Sequence, residues 1–294
     1  MLQRHLLHTN AKVGVGVNRF GTASAMFDIY GCMDLSRPLY WEKLLSPHNF
    51  GPHCRDEKIG VVILDDGMQV NNIMVIGTLD CSLIVSADMV CNRQHLSLCR
   101  DVEIVMINGL APWGNEHLIP RGSLREPLNA LGRAHIGVIL HADLVSIKEL
   151  KDIVTTMRKF SPAIRVFFSS LAPLFFFEVK NPQAKLSLNM MIDKVILCVS
   201  AIGFPDAFIQ SIKKDINLIR KRLKLLEDRF GLEVIVIITE KDYDRNPTIL
   251  EKVDDFLIVV LCSSLQIMPF EDRTDEDFRM VLRKLLLCRS GFVA

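Results

Sequence analysis

The chain has 294 residues, 49% of them apolar and 23% charged, and carries a formal net charge of +1. That length is ample for a buried core and predicts one large or two modest domains. The near-neutral balance supplies no global field for nucleic acid, and the composition is that of a folded globular protein.

The N-terminus, Met1-Leu2-Gln3-Arg4-His5-Leu6-Leu7-His8, is basic and lacks acids, a faint likeness to a transit peptide. It reads better as a short helix feeding a strand. Strands are expected at 12–17, 59–64, 102–107 and 136–140, each a short apolar run. Residues 146–160 have helical spacing, with Ile147, Leu150, Ile153, Val154 and Met157 on one face. Further strands follow at 164–169, 175–179 and 195–199. Phe208, Ile212, Ile216, Ile219 and Leu223 recur every three or four residues and predict a long amphipathic helix. Lys213, Lys214, Arg220, Lys221, Arg222, Lys224 and Arg229 surround that stripe. Such a helix can lie on an anionic membrane, but packing with a solvated face is the commoner use. Strands at 234–238 and 256–261 and a helix at 275–287 complete the pattern.

Apolar strands separated by helices mean an α/β protein with a parallel sheet covered on both faces. The polar, turn-forming pair Asn181-Pro182 marks a boundary, giving domains 1–180 and 181–294. The phenylalanines at 167, 168, 175, 176 and 177 read as one interdomain core. Eight cysteines occur, none as Cys-x-x-Cys, and several sit in apolar runs. They read as buried thiols in a reducing compartment. No uninterrupted apolar run reaches membrane-spanning length.

Two stretches carry chemistry. Val61-Val62-Ile63-Leu64 runs into Asp65-Asp66-Gly67-Met68-Gln69. A buried parallel strand that ends in carboxylates can hold a magnesium ion or its waters beside a phosphate. The plain alternative is a strand-ending Asp-Gly turn. The second stretch is a long loop of Gly, Asn, Pro, Arg and Glu from Gly114 to Leu128. Arg125 could clamp a phosphate through its planar fork, or it could pair with Glu126. A third element, Thr239-Glu240-Lys241-Asp242, ends a strand. Lys241 could reach an anion, although a solvated charge cluster is the simpler reading.

Together these residues resemble the tetraacyldisaccharide 4'-kinase (lipid A 4'-kinase) family, and most closely its plant organellar members. The likeness covers most of residues 1–30 and 57–290. Within the loop the chain keeps Gly114, Asn115, Pro120, Gly122, Leu124, Arg125, Glu126 and Pro127 of the family pattern. It departs at Glu116, where the family has glycine, and at Ser123, where it has proline. The resemblance implies a P-loop-kinase-like sheet with a second, smaller α/β lobe. It implies ATP and Mg2+ as cofactors and transfer of a phosphoryl group to the 4'-hydroxyl of an acylated disaccharide lipid. Asp65 and Asp66 would be the catalytic pair and would bind nucleotide with Gln69, Asp66 holding the magnesium. His95, Asn115, Arg125 and Glu126 would form the substrate region. A mitochondrial address and peripheral contact with a membrane are implied by the same likeness.

Parts of the family pattern are missing. No Gly-x-x-x-x-Gly-Lys-Ser/Thr cradle occurs in the sequence. In the family that loop and a Gly-Asp-Glu element precede the helix that residues 2–7 resemble, so the native protein is expected to be longer. The family's Asp-His-His element is absent too, since no histidine follows His141. A catalytically dead remnant or a non-catalytic binding protein is therefore the alternative. The glycines at 14, 16 and 21 also resemble the opening of glyceraldehyde-phosphate dehydrogenases, but without the Gly-x-Gly-x-x-Gly spacing.

The family reads Asp-Asp-Gly-x-Gln-His without a break, whereas here residues 70–94 separate Gln69 from His95. A segment that begins with Val and ends with Gln is what a retained intron could encode. It reads as a non-native insert that loops out. Sequencing of transcripts across this junction should find messages that join Gln69 directly to His95. A message that always contains the segment would reject the idea.

Overall fold

The computed structural model describes residues 2–6, 9, 11–16, 19–31, 58–65, 83–88, 102–122, 124, 126–192, 194–199, 225, 228–229, 231, 234–245, 247–250, 257–270 and 273–289. The chain begins with α1 (Leu2–Leu6) and α2 (Arg19–Tyr30), followed by β1 (Val61–Asp65), β2 (Leu83–Asp88), β3 (Val102–Asn108) and β4 (Ile136–Leu140). Then come α3 (Ile147–Phe160), β5 (Arg165–Glu178), β6 (Asn181–Leu186), β7 (Val195–Cys198) and β8 (Val234–Thr239). It ends with α4 (Glu240–Arg245), α5 (Pro247–Leu250), β9 (Ile258–Met268) and α6 (Asp275–Arg289). Two compact units emerge. One joins Asn10–Ser170 to Gln266–Ala294, and the other joins Met1–Thr9 to Leu171–Leu265. The chain passes between them inside β5 and β9, not at the expected Asn181-Pro182 cut. Those two residues instead open β6, which folds back on β5 through the pair Glu178↔Asn181.

In the larger unit β1, β2, β3, β4 and the start of β5 pair in parallel, each with the next. The expected α/β class and parallel sheet are present. β4 is buried along nearly its whole length, as a strand covered on both faces must be. On one face Val105, Ile107 and Ile139 pack against Leu150, Ile153 and Met157 of α3. On the other, Ile136, Val138 and Phe167 pack against Phe278, Val281, Leu282 and Leu285 of α6. Gly137 explains how close α3 lies. A Cβ there would stand 2.2 Å from Met157 Cε. α3 starts on a capping box, in which the Ser146 side chain accepts from Glu149 N and the Glu149 side chain accepts from Ser146 N.

The smaller unit is built on β7, β8 and β9. β8 pairs in parallel with both of its neighbours. Val234, Val236, Ile238, Val260 and Phe177 form one core cluster, and Phe176, Ile235 and Val259 form another.

Several expectations change. Residues 11–16 form no strand, and Val15 is 84% exposed. Two glycines in six residues weaken any strand, and Gly14 serves instead as a close packing point for α2, where a Cβ would meet Met26 Sδ at 2.7 Å. The runs 164–169 and 175–179 are parts of the single strand β5, with Pro173 between them. The phenylalanines do not form one core. Phe167 stacks edge-on with Phe278, Phe168 meets Phe270, and Phe177 meets Tyr243. Strand pleating sends neighbours to opposite faces, so one sequence cluster feeds separate cores. The amphipathic helix expected at 208–223 lies outside the described residues. Ser146→Ala removes the cap of α3 and should lower stability by about 1 kcal/mol in urea unfolding.

Candidate functional site

In an open parallel sheet the carboxyl ends of the strands are where ligands bind. Asp65 ends β1 and is in register with Ala87 of β2, which is in register with Ile104 of β3. Asp65 therefore stands two strand spacings from β3, about 10 Å. β3 continues past that level to Asn108. β2 lies inside the 70–94 segment, so residues 83–88 do not loop out but pair with β1 and β3. Asp66, Gln69, His95 and Arg125 lie outside the described residues.

The loop after β3 starts at the same edge. Gly109 N donates to Leu140 O at 2.9 Å, and Leu110 N donates to Asn108 Oδ1 at 3.1 Å. Asn115 then closes the loop on itself. Its Nδ2 donates to Arg121 O at 2.8 Å, and its Oδ1 accepts from His117 N at 3.2 Å. Gly122 permits this closure, because a Cβ there would overlap Asn115 Oδ1 at 2.0 Å and His117 O at 2.2 Å. The closed loop bridges Leu118 to Leu124. Leu124 and Glu126 are buried, at 5% and 2% exposure. Glu126 Oε2 accepts from Arg133 Nη2 at 2.7 Å, and Arg133 Nε lies 3.6 Å from Glu103 Oε2. The partner of Glu126 seen here is thus Arg133. In this structure Asn115 holds the loop's shape and Glu126 anchors its far end.

Glu116 has φ 61. That left-handed conformation suits glycine, the residue the resemblance leads one to expect here, and a glutamate adopts it only with strain.

His141 was not among the expected site residues. It follows β4 at the same carboxyl edge with φ 57 and precedes a 3-10 turn at Ala142–Leu144. With Asn108 it flanks the Gly109–Leu140 hydrogen bond. Its position directly after an apolar run was the only signal in the sequence. Among the described residues no group of three or more His, Cys, Asp or Glu side chains is arranged to hold a metal.

A second polar cluster sits where β8 ends in the smaller unit. Thr239 Oγ1 donates to Asp242 Oδ2 at 2.7 Å and accepts from Asp242 N at 3.2 Å, which caps α4. The expected solvated charge cluster is corrected here. Glu240 and Asp242 are 8% and 1% exposed, whereas Lys241 faces out. Glu240 Oε1 accepts from Arg4 Nη2 at 2.9 Å, and Asp244 Oδ2 accepts from the same nitrogen at 3.0 Å. Nearby Cys262 is buried. Burial, followed by the charge and hydrogen bonding of Glu240, pushes its thiol up to about 12. It is a neutral thiol at any physiological pH, as the apolar setting predicted.

A sequence profile of the tetraacyldisaccharide-1-P 4'-kinase family matches residues 71–284. His95, Asn115, Arg125 and Glu126 fall inside that span, and Asp65, Asp66 and Gln69 fall before it. An Arabidopsis thaliana protein named "Probable tetraacyldisaccharide 4'-kinase, mitochondrial" is 38% identical over 313 residues, covering 98% of this chain and 71% of that protein. A tetraacyldisaccharide 4'-kinase of Halothermothrix orenii is 34% identical over 130 residues, or 41% of this chain. The chain matches only 33% of that bacterial relative's length. Among solved structures, LpxK from Aquifex aeolicus in complex with ATP is similar at 16% identity, with a TM-score of 0.36 over 66% of this chain and 55% of that one.

Glu116→Gly should stabilise the protein by about 0.5–1 kcal/mol, the relief of left-handed strain less the entropy glycine gives the unfolded chain. A raised urea midpoint with an unchanged slope would show it. A lowered midpoint would mean that the glutamate makes a compensating contact.

Proposed function

The chain belongs to the tetraacyldisaccharide-1-P 4'-kinase family, and on that premise we propose that its larger unit serves phosphoryl transfer from ATP to an acylated disaccharide lipid. The observation that carries this reading is the shared sheet edge. Asp65 closes β1, and the Asn115 loop leaves β3 at the carboxyl ends of one parallel sheet. Asp65 and Asp66 supply hard oxygen donors of the kind magnesium takes, and magnesium would neutralise phosphate charge there. Gln69 would join them on the nucleotide. His95, Asn115 and Arg125 would shape the sugar and phosphate region, and Glu126 would hold Arg133 so that the loop keeps its place.

The name of the Arabidopsis relative supports a mitochondrial setting for this chain. Contact with the lipid would be peripheral. No helix among the described residues is long and apolar enough to cross a membrane.

The alternative is a chain that binds partners without catalysing transfer, which the kinase names of its relatives do not favour.

The two readings separate in one experiment. The purified chain is given Mg·ATP and tetraacyldisaccharide 1-phosphate, and both nucleotide binding and phosphorylated lipid are measured. The kinase reading expects product, and Asp66→Asn should lower kcat/KM about a hundredfold. Product formation that Asp66→Asn leaves unchanged would remove Asp66 from the site. Absence of Mg·ATP binding at millimolar concentration would favour the non-catalytic reading.

A further inference from the structure

The Arg4 cluster takes no part in the proposed phosphoryl transfer, and its behaviour is independent of that chemistry. α1 is five residues long, too short to be helical in water on its own. Docking side-chain contacts must hold it. Arg4 Nη2 donates to Glu240 Oε1 at 2.9 Å and to Asp244 Oδ2 at 3.0 Å. The guanidinium carbon of Arg4 lies 5.0 Å from the centre of the Phe177 ring and 5.5 Å from that of Tyr243. His5 Nε2 is 2.9 Å from Glu240 Oε1.

The two sides of this contact differ. Phe177 and Tyr243 are 1% and 8% exposed, and their rings meet edge-on at 5.1 Å. They belong to the unit's core, together with Val236, Ile238 and Val260. The Arg4 and His5 side chains are 31% and 51% exposed. A box of two carboxylates and two core rings therefore receives one guanidinium from a helix on the surface. Such a box suits arginine, because the flat ion can meet carboxylates at its edge and rings at its face.

We propose that Arg4 is a latch: it plugs into the box of Glu240, Asp244, Phe177 and Tyr243, and α1 exchanges between docked and released states while the rest of the smaller unit stays folded. Trypsin reads this directly. The enzyme must take the Arg4 side chain into its own pocket to cut the Arg4–His5 bond, and a docked Arg4 cannot enter. Limited proteolysis of the full chain, followed by mass spectrometry, compares that bond with cleavage after Lys185 in β6. Asp244→Asn removes one carboxylate, and Tyr243→Leu keeps apolar bulk but removes a ring face. Both should speed cleavage at Arg4–His5, Asp244→Asn about tenfold, with cleavage after Lys185 unchanged. If neither variant speeds cleavage at Arg4–His5, the latch is wrong. If cleavage after Lys185 rises in parallel, α1 opens only with its whole unit, and the latch is equally wrong.

Discussion

At the carboxyl edge of the larger unit the loop after β3 is fastened by its own backbone bonds and by the side-chain amide of Asn115. β3 and β4 are parallel neighbours, so the chain leaving Asn108 must return the full length of the sheet before it can enter Ile136. Such returns are usually made by a helix. Here residues 109–127 and the 3-10 turn Leu128–Arg133 make it. Backbone bonds from Ile119 N to Leu124 O and from Leu124 N to His117 O close this loop, and Asn115 adds to the closure by donating to Arg121 O and accepting from His117 N. Once closed, the loop delivers Leu124 to a buried position and Glu126 to Arg133. Trp113 and Leu131 then join the apolar cluster that α3 covers, so the loop takes the place of a crossover helix on that face.

Regular elements with a strong period were legible from the residues alone. The apolar runs at β3, β4 and β8, the stripe of α3, and the last helix stand where the pattern placed them. That residues 114–122 form an irregular loop was legible too, because Gly, Asn and Pro concentrate in it. What escaped was set by partners far away in sequence. Glu126 meets Arg133 because β4 begins beside the start of β3, where Arg133 also approaches Glu103, and that placement comes from strand pairing rather than from local spacing. Glu240 and Asp242 are buried by a helix that lies more than two hundred positions earlier and by the turn they cap. α2 has no apolar stripe to announce it, and its place is given by Gly14 and by the glycine cap at Gly31, φ 72.

The smaller unit shows how buried acids are tolerated. A carboxylate taken out of water is costly unless charge and donors replace the solvent. The Asp242 carboxylate accepts from the Thr239 hydroxyl, which in turn accepts from the Asp242 backbone amide at the start of α4. Glu240 and Asp244 recover their donors from Arg4. Burial first, and then the negative field of Glu240, works against ionising Cys262 and keeps it an unreactive neutral thiol.

The segment 70–94 decides how far apart the two halves of the proposed site lie. With β2 in place, Asp65 is separated from the level of Ile104 by two strand spacings. Without it, β1 and β3 would each have an unpaired edge facing the other, both parallel and both apolar on the run that would meet. Their pairing would bring Asp65 about 5 Å closer to the strand that carries the Asn115 loop. The six residues of β2 are therefore more than a decoration of the sheet. On the proposed function a triphosphate and its magnesium would be reached from β1 and from the loop at once, and strand spacing is not adjustable by side-chain motion. Whether Leu83–Asp88 stays between them fixes whether the acidic strand end and the loop can serve a single phosphate chain.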